Sequence, residues 1–154
     1  MEIRAYTPAD CQRTAALFYD TVHAVACRDY SQEQLDAWAP ADTDQASLIH
    51  WDRSFSEHHT LVAVEGTEIV GFGDIDETGY LDRLFVHRDH QGKGVATALC
   101  DALEQTVPDG KISTAASITA RPFFEGRGYR VVKQQQAIRR NVPLTNYIMT
   151  KISR

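Results

Sequence analysis

The stretch FVHRDHQGKGVATALCDALEQ, Phe85 to Gln105, constrains the chain most. An apolar strand end, two glycines two residues apart and an immediate helix start together describe a concavity of backbone N–H groups, the form in which proteins hold phosphate without side-chain charge. Two familiar phosphate loops fail here. A Walker A loop ending at Gly92-Lys93 would need glycine at His87 and Ser or Thr at Gly94. A dinucleotide fingerprint beginning at Gly92-x-Gly94 meets Thr97 where its third glycine belongs, and no βαβ unit opens the chain. The pattern Q/R-x-x-G-x-G/A is matched at every specified position by Gln91-Gly92-Lys93-Gly94-Val95-Ala96, after the strand residues Leu84-Phe85-Val86.

The flanking periodicities extend the loop into a fold. EIRAY alternates as a strand, and Thr7, Pro8 and Asp10 form a helix start before Cys11, Ala15, Phe18, Val22 and Val25 mark one apolar face. Ser31-x-x-Gln34 opens a short helix to Trp38 that Pro40 stops, and a third amphipathic segment covers Asp44 to Ser56. TLVAV, EIVGFGDID and YLDRLFV then read as a meander joined by short turns. A helix from the glycine loop to about Thr106, stopped at Pro108-Asp109-Gly110, is followed by the strand KISTAAS. A short helix in TARPFFEGRG, capped by Thr119 and ended by Gly128, precedes two closing strands, YRVVKQQQAI and LTNYIMTKI.

This order defines a mixed α+β fold in one domain, residues 1–154. The strand, glycine loop, helix and next strand form a right-handed crossover between parallel strands, with the loop at the carboxyl end of the first. Such a position is where a ligand crevice is expected. With a formal net charge of -5, the chain lacks the basic footprint that general nucleic-acid or anionic-membrane binding requires. No apolar run reaches the length of a membrane span and no leader pattern opens the chain, so the cytoplasm is the expected compartment. Cys11, Cys27 and Cys100 read as reduced, mostly buried thiols, and the histidines show no ligand spacing, so no metal is expected.

On these residues the chain resembles the GCN5-related N-acetyltransferase (GNAT) superfamily over nearly its whole length. LFVHRDHQGKGVATAL is similar to the acetyl-CoA loop of that superfamily, and TARPFFEGRGY to its following short helix and exit. EQLDAWAP, TARPFFE and LTNYIM are similar to a bacterial, YafP-like subfamily of acetyltransferases. The resemblance implies a mostly antiparallel sheet of six to seven strands, flanked by helices, with a central parallel pair splayed around acetyl-CoA. It implies a cofactor site of Leu84, Phe85 and Val86, whose backbone holds the pantetheine arm, and of Gln91, Gly92, Lys93, Gly94, Val95, Ala96 and Thr97 around the pyrophosphate. A backbone N–H of Phe85 or Val86 would stabilise the oxyanion.

The reaction implied is direct transfer of an acetyl group, in a ternary complex, from acetyl-CoA to a primary amine of a small molecule or peptide. The alternative is a non-catalytic acyl-CoA-binding or regulatory domain. Phe124 stands where many members have a Tyr that protonates the thiolate, which leaves Tyr147 as the expected acid, with Ser117 and Tyr80 behind it. Asp82 is the expected base, ahead of Asp74 and Asp76, since the amine must lose a proton to attack. Tyr30 and Trp38 are expected to line the acceptor pocket. A homodimer, common among members of the superfamily, is part of what the resemblance implies, although no self-complementary strand edge argues for it.

Overall fold

The computed structural model describes residues 1–41, 44–107 and 110–152. Its strands are β1 (Glu2–Ala5), β2 (His59–Glu65), β3 (Glu68–Ile75), β4 (Tyr80–Val86), β5 (Lys111–Ser117), β6 (Arg130–Arg139) and β7 (Val142–Ile152). They form one seven-stranded sheet in the order β1-β2-β3-β4-β5-β7-β6. Every neighbouring pair is antiparallel except β4 and β5, the pair joined by the glycine-loop helix.

Helices α1 (Cys11–Val25), α2 (Gln32–Trp38) and α3 (Gln45–Glu57) cover one face of the sheet, and α4 (Val95–Glu104) and α5 (Arg121–Gly126) cover the other. The expected cap forms at α2, where Ser31 and Gln34 exchange bonds, and α3 is capped by Asp44, which accepts from Ser47 N–H at 2.8 Å. The expected cap on α5 does not. Thr119 instead donates to Asp29 at 2.7 Å, and Ser117 Oγ accepts from Ala120 N–H at 3.0 Å, so α5 begins at Arg121. The Pro108-Asp109 part of the expected α4 stop lies outside the described residues.

The closing hairpin is longer than its sequence suggests. Pro143 argues against a strand because it cannot donate to a ladder, yet β7 begins at Val142 and Pro143 pairs with Ile138. The connection is the two residues Arg140 and Asn141, both at positive φ (47° and 65°), the geometry of a tight hairpin turn.

Two small residues seat α4. Gly71 and Gly73 face it across β3, and a Cβ on Gly71 would lie 2.7 Å from Val95 Cγ1 and 3.2 Å from the Phe85 carbonyl oxygen. The first turn of α4, and with it the glycine loop, is therefore held close against the sheet. Gly71→Val overpacks this contact, and we expect a loss of about 1–3 kcal/mol in stability, read by urea denaturation. An unchanged midpoint would show that α4 can retreat without cost.

Candidate active site

β4 and β5 pair only at Tyr80↔Ser113 and Leu81↔Thr114, where Thr114 Oγ1 also donates to the Leu81 carbonyl at 2.8 Å. Beyond that point the strands part, leaving Asp82–Val86 and Ala115–Ser117 as the two walls of a wedge. Strand alternation decides which backbone groups face it. His87 N–H donates to Val70 O at 2.8 Å, so the polar groups of Phe85, two residues earlier, also point into the ladder with β3. Those of Leu84 and Val86 point into the wedge. This corrects the expectation for Phe85, whose N–H belongs to the sheet. The Val86 carbonyl is already taken by Thr21 Oγ1 at 3.2 Å and Gln91 Nε2 at 2.6 Å. Gln91 thus ties the glycine loop to the strand end.

At the wedge mouth Gly92 and Gly94 both adopt positive φ, 71° and 83°, and Gly94 caps α4. A Cβ added at either would meet nothing within 4 Å, so the space in front of both is open. The first N–H groups of α4 have no acceptor within the helix and carry the positive end of its dipole. They face a cavity of about 250 Å³ bordered by Gly92, Gly94, Val95, Ala96 and Thr97. Lys93 is exposed and does not border it, while Arg28, from the turn after α1, does. Arg88 lies outward, 3.7 Å from Asp20.

A second cavity, of about 640 Å³, opens on the α1–α3 side of the wedge. Trp38, Leu84, Phe85, Ser117, Ala120 and Phe124 border both cavities, so the two meet at the wedge. Tyr30 and Trp38 line the larger one. Tyr30 is also structural: its hydroxyl donates to Thr145 O at 2.6 Å and accepts from Ile118 N–H at 2.9 Å, clamping β5 to β7. Trp38 stands edge-on to Tyr30 and Phe18.

Asp82 reaches the larger cavity through an irregularity. Asp74 pairs with Arg83 and Ile75 with Leu81, so Asp82 is an extra residue in β4, a bulge that turns it and Arg83 to the same side. Arg83 is held by Asp74 at 2.9 Å and by Ser54, stacks on Phe55 at 4.4 Å, and reaches Asp82 at 3.3 Å. Asp74 is fully buried and accepts a further bond from His58 Nδ1 at 2.7 Å. Burial pushes the Asp74 carboxyl up from the usual carboxylate range, against the pull of Arg83 and His58. Among the described residues, His58, Asp74 and Asp82 are the one group of potential metal ligands brought together, which spacing in the sequence did not reveal. The guanidinium of Arg83 already supplies positive charge to that group.

Tyr147 is not brought to the site. It packs on the α5 side of β7 with the Arg121 guanidinium 4.4 Å from its ring, and it borders neither cavity. Its neighbour Asn146 lines the larger one. Phe124 is buried against Tyr129 and offers no proton. Ser117, at the junction, is the hydroxyl that the fold places best. Cys100 is wholly buried in α4 and burial drives its thiol up to about 12, which removes it as a nucleophile.

A mostly antiparallel sheet, opened at one parallel pair with a glycine loop at its mouth, defines an acyltransferase-type architecture. The chain belongs to the GNAT acetyltransferase family: residues 26–151 match the acetyltransferase (GNAT) domain. It is 36% identical over 149 residues to the uncharacterized N-acetyltransferase YafP of Escherichia coli K12, covering 97% of this chain and 94% of that protein. The structure of the GCN5-related N-acetyltransferase aminotransferase, class-II, from Rhodopseudomonas palustris is 33% identical. It superposes with a TM-score of 0.89, covering 98% of this chain and 94% of that one. The PaiA N-acetyltransferase of Thermoplasma acidophilum, solved in complex with coenzyme A, shares the fold at 17% identity with a TM-score of 0.76, each chain covered to 98%.

Proposed function

We propose that the protein transfers an acetyl group from acetyl-CoA to a primary amine by direct attack in a ternary complex. The observation that carries this reading is the junction of the two cavities at an unzipped strand pair: one side suits a diphosphate-bearing thioester, the other an acceptor, and they meet only at the wedge. The amides at the start of α4, with Gly92 and Gly94 clearing the approach, bind the pyrophosphate. The pantetheine arm lies along Leu84 to Val86 as a substitute strand. Leu84 N–H, aimed into the wedge and free of β3, polarises the acetyl carbonyl, a role typically worth about 10²–10³ in rate.

The remaining steps concern protons. Asp82 takes the proton of the attacking amine, either directly or through a water; its place on a bulge, beside Arg83, fixes its direction. The C–N bond forms, the tetrahedral oxyanion collapses, and the C–S bond breaks. Ser117 Oγ, which accepts from Ala120 N–H and so keeps its own proton to give, attends the thiolate in place of the Tyr147 anticipated from the sequence. The cytoplasm suits such a protein, because the exposed Cys27 stays reduced there. The bundle of helices over the acceptor side favours catalysis over the binding-only alternative, because a pure CoA-binding module has no use for a 640 Å³ chamber on the far side of the thioester.

Thiol release from acetyl-CoA in the presence of an amine panel tests the reaction. Asp82→Asn is expected to lower kcat by about 10²-fold or more at neutral pH while coenzyme affinity by calorimetry stays within about twofold. Equal turnover in that variant removes Asp82 from the role, and acetyl-CoA binding with no acceptor-dependent thiol release returns the chain to a binding module.

A further inference from the structure

The charges around the larger cavity are unevenly satisfied. Of the three arginines that line it, Arg83 is neutralised by Asp74 and Asp82. Arg139 and Arg140, from the tip of the β6–β7 hairpin, are not: among the described residues no carboxylate lies within 4.0 Å of either. Arg139 donates only to the carbonyl of its neighbour Ile138, at 3.2 Å. Arg140 spends one donor on the Ala37 carbonyl at 2.7 Å, at the end of α2, and keeps the rest of its fork.

That bond fixes the hairpin tip against α2. So does Gln34 Nε2, which donates to Pro143 O at 3.0 Å. The tip is a tight turn with Arg140 and Asn141 both in the left-handed region, so the two guanidinium groups are carried on a short, well-determined corner of backbone rather than on a long loop. Arg139 lines the same chamber as Tyr80 and Asp82 of β4. The chamber is lined by the carboxylates Asp44 and Asp82 and, at the hairpin tip, by two guanidiniums with no carboxylate partner among the described residues, an arrangement that matches a molecule with an amine at one end and an anion at the other.

We propose, resting on the acetyl-transfer reading, that the acceptor is a small amine bearing a carboxylate, an amino acid or short acidic peptide, whose carboxylate is bound by Arg139 and Arg140 while its amine faces Asp82. Bidentate carboxylate recognition is what the planar guanidinium does best.

The test uses the full chain, acetyl-CoA and matched acceptor pairs: amino acids and dipeptides beside the corresponding amines lacking the carboxylate, together with a polyamine. The expected result is a kcat/KM at least about tenfold higher for the carboxylate-bearing member of a pair, the scale of one charged hydrogen bond. In Arg139→Gln, alone and combined with Arg140→Gln, that preference collapses by about tenfold or more, through KM rather than kcat. The single variant guards against loss of the Arg140–Ala37 bond, and thermal denaturation of both checks folding. Preference for the polyamine, an equal loss for both members of a pair, or no turnover of any carboxylate-bearing amine while acetyl-CoA still binds by calorimetry would each overturn the substrate class alone. Failure of acetyl-CoA to bind at all would overturn the acetyl-transfer reading beneath it.

Discussion

Gly94→Glu is expected to abolish coenzyme A binding while the protein stays folded. Gly94 sits at φ 83°, where an L-residue costs about 1–2 kcal/mol, so some loss of stability is unavoidable. At roughly 2–4 °C per kcal/mol for a chain of this size, that lowers the melting temperature by only a few degrees. The added Cβ meets no protein atom within 4 Å, so no steric conflict inside the fold adds to this strain. What the side chain does meet is the space assigned to the pyrophosphate. A carboxylate there opposes the ligand's charge and covers the amides at the start of α4. Calorimetry with coenzyme A should show affinity lower by about 10²-fold or more, the loss of several charge-assisted hydrogen bonds together. Gly94→Ala separates the two effects: it carries the same backbone strain with little bulk, and should retain most of the binding. Unchanged affinity in Gly94→Glu would move the diphosphate elsewhere and undo the reading of the loop.

The loop was legible because its chemistry is local. Consecutive residues specify two left-handed glycines and a small residue in the first helical turn, and none of this depends on a distant partner. The helix starts at Ser31 and Asp44 were legible for the same reason. The parallel pair could be expected from so short a helical connection, but not the point, past Leu81 and Thr114, at which β4 and β5 separate.

Two features of the site were hidden because in a strand the direction of a side chain depends on register, and register belongs to the neighbouring strand. Asp82 was anticipated as a base, yet the bulge that turns it beside Arg83 exists only opposite Asp74 and Ile75. Tyr147 has the right chemistry and the wrong parity, facing α5 while Asn146 faces the chamber. The cluster of His58, Asp74 and Arg83 draws on α3's exit, β3 and β4, 16 and 9 residues apart along the chain, so no spacing motif announces it. Arg139 and Arg140 fall between the two closing strands expected from the sequence, YRVVKQQQAI and LTNYIMTKI.

Glu104→Ala should be strongly destabilising for a substitution at a polar residue. Glu104 lies in the last turn of α4, 8% exposed, and accepts from Arg127 Nε at 2.9 Å and Nη2 at 3.0 Å, from the Tyr129 hydroxyl at 2.8 Å and from Lys151 Nζ at 3.2 Å. One carboxylate therefore joins α4 to the chain leaving α5 and to β7. Removing it strands a largely buried guanidinium and a buried phenol, a situation that costs about 3–5 kcal/mol. Chemical denaturation should show that loss, whereas Asp101→Ala, which removes only the outer contact of Arg127 at 2.7 Å, should cost well under half as much.

The same network predicts a pH dependence. Burial raises the Glu104 carboxyl, but the bonds from Arg127, Tyr129 and Lys151 outweigh it and leave the group below its ordinary value of 4.5. The folded state then holds its proton less tightly than the unfolded state, so the stabilisation is complete above about 4.5 and drains away as the pH falls through the lower folded value. Asp10, held down by Arg4, titrates in the same sense and must be subtracted. Comparing the melting temperature of the native chain with that of Glu104→Gln from pH 7 to pH 3 does so, because both retain Asp10. The gap between the two curves should be widest at neutral pH and close in acid. A gap that stays constant would show that the carboxylate's charge contributes nothing beyond its shape. Because Glu104 lies at the far end of α4 from the glycine loop, coenzyme affinity well below the melting temperature should survive the substitution, which separates the anchoring of this helix from the binding done at its other end.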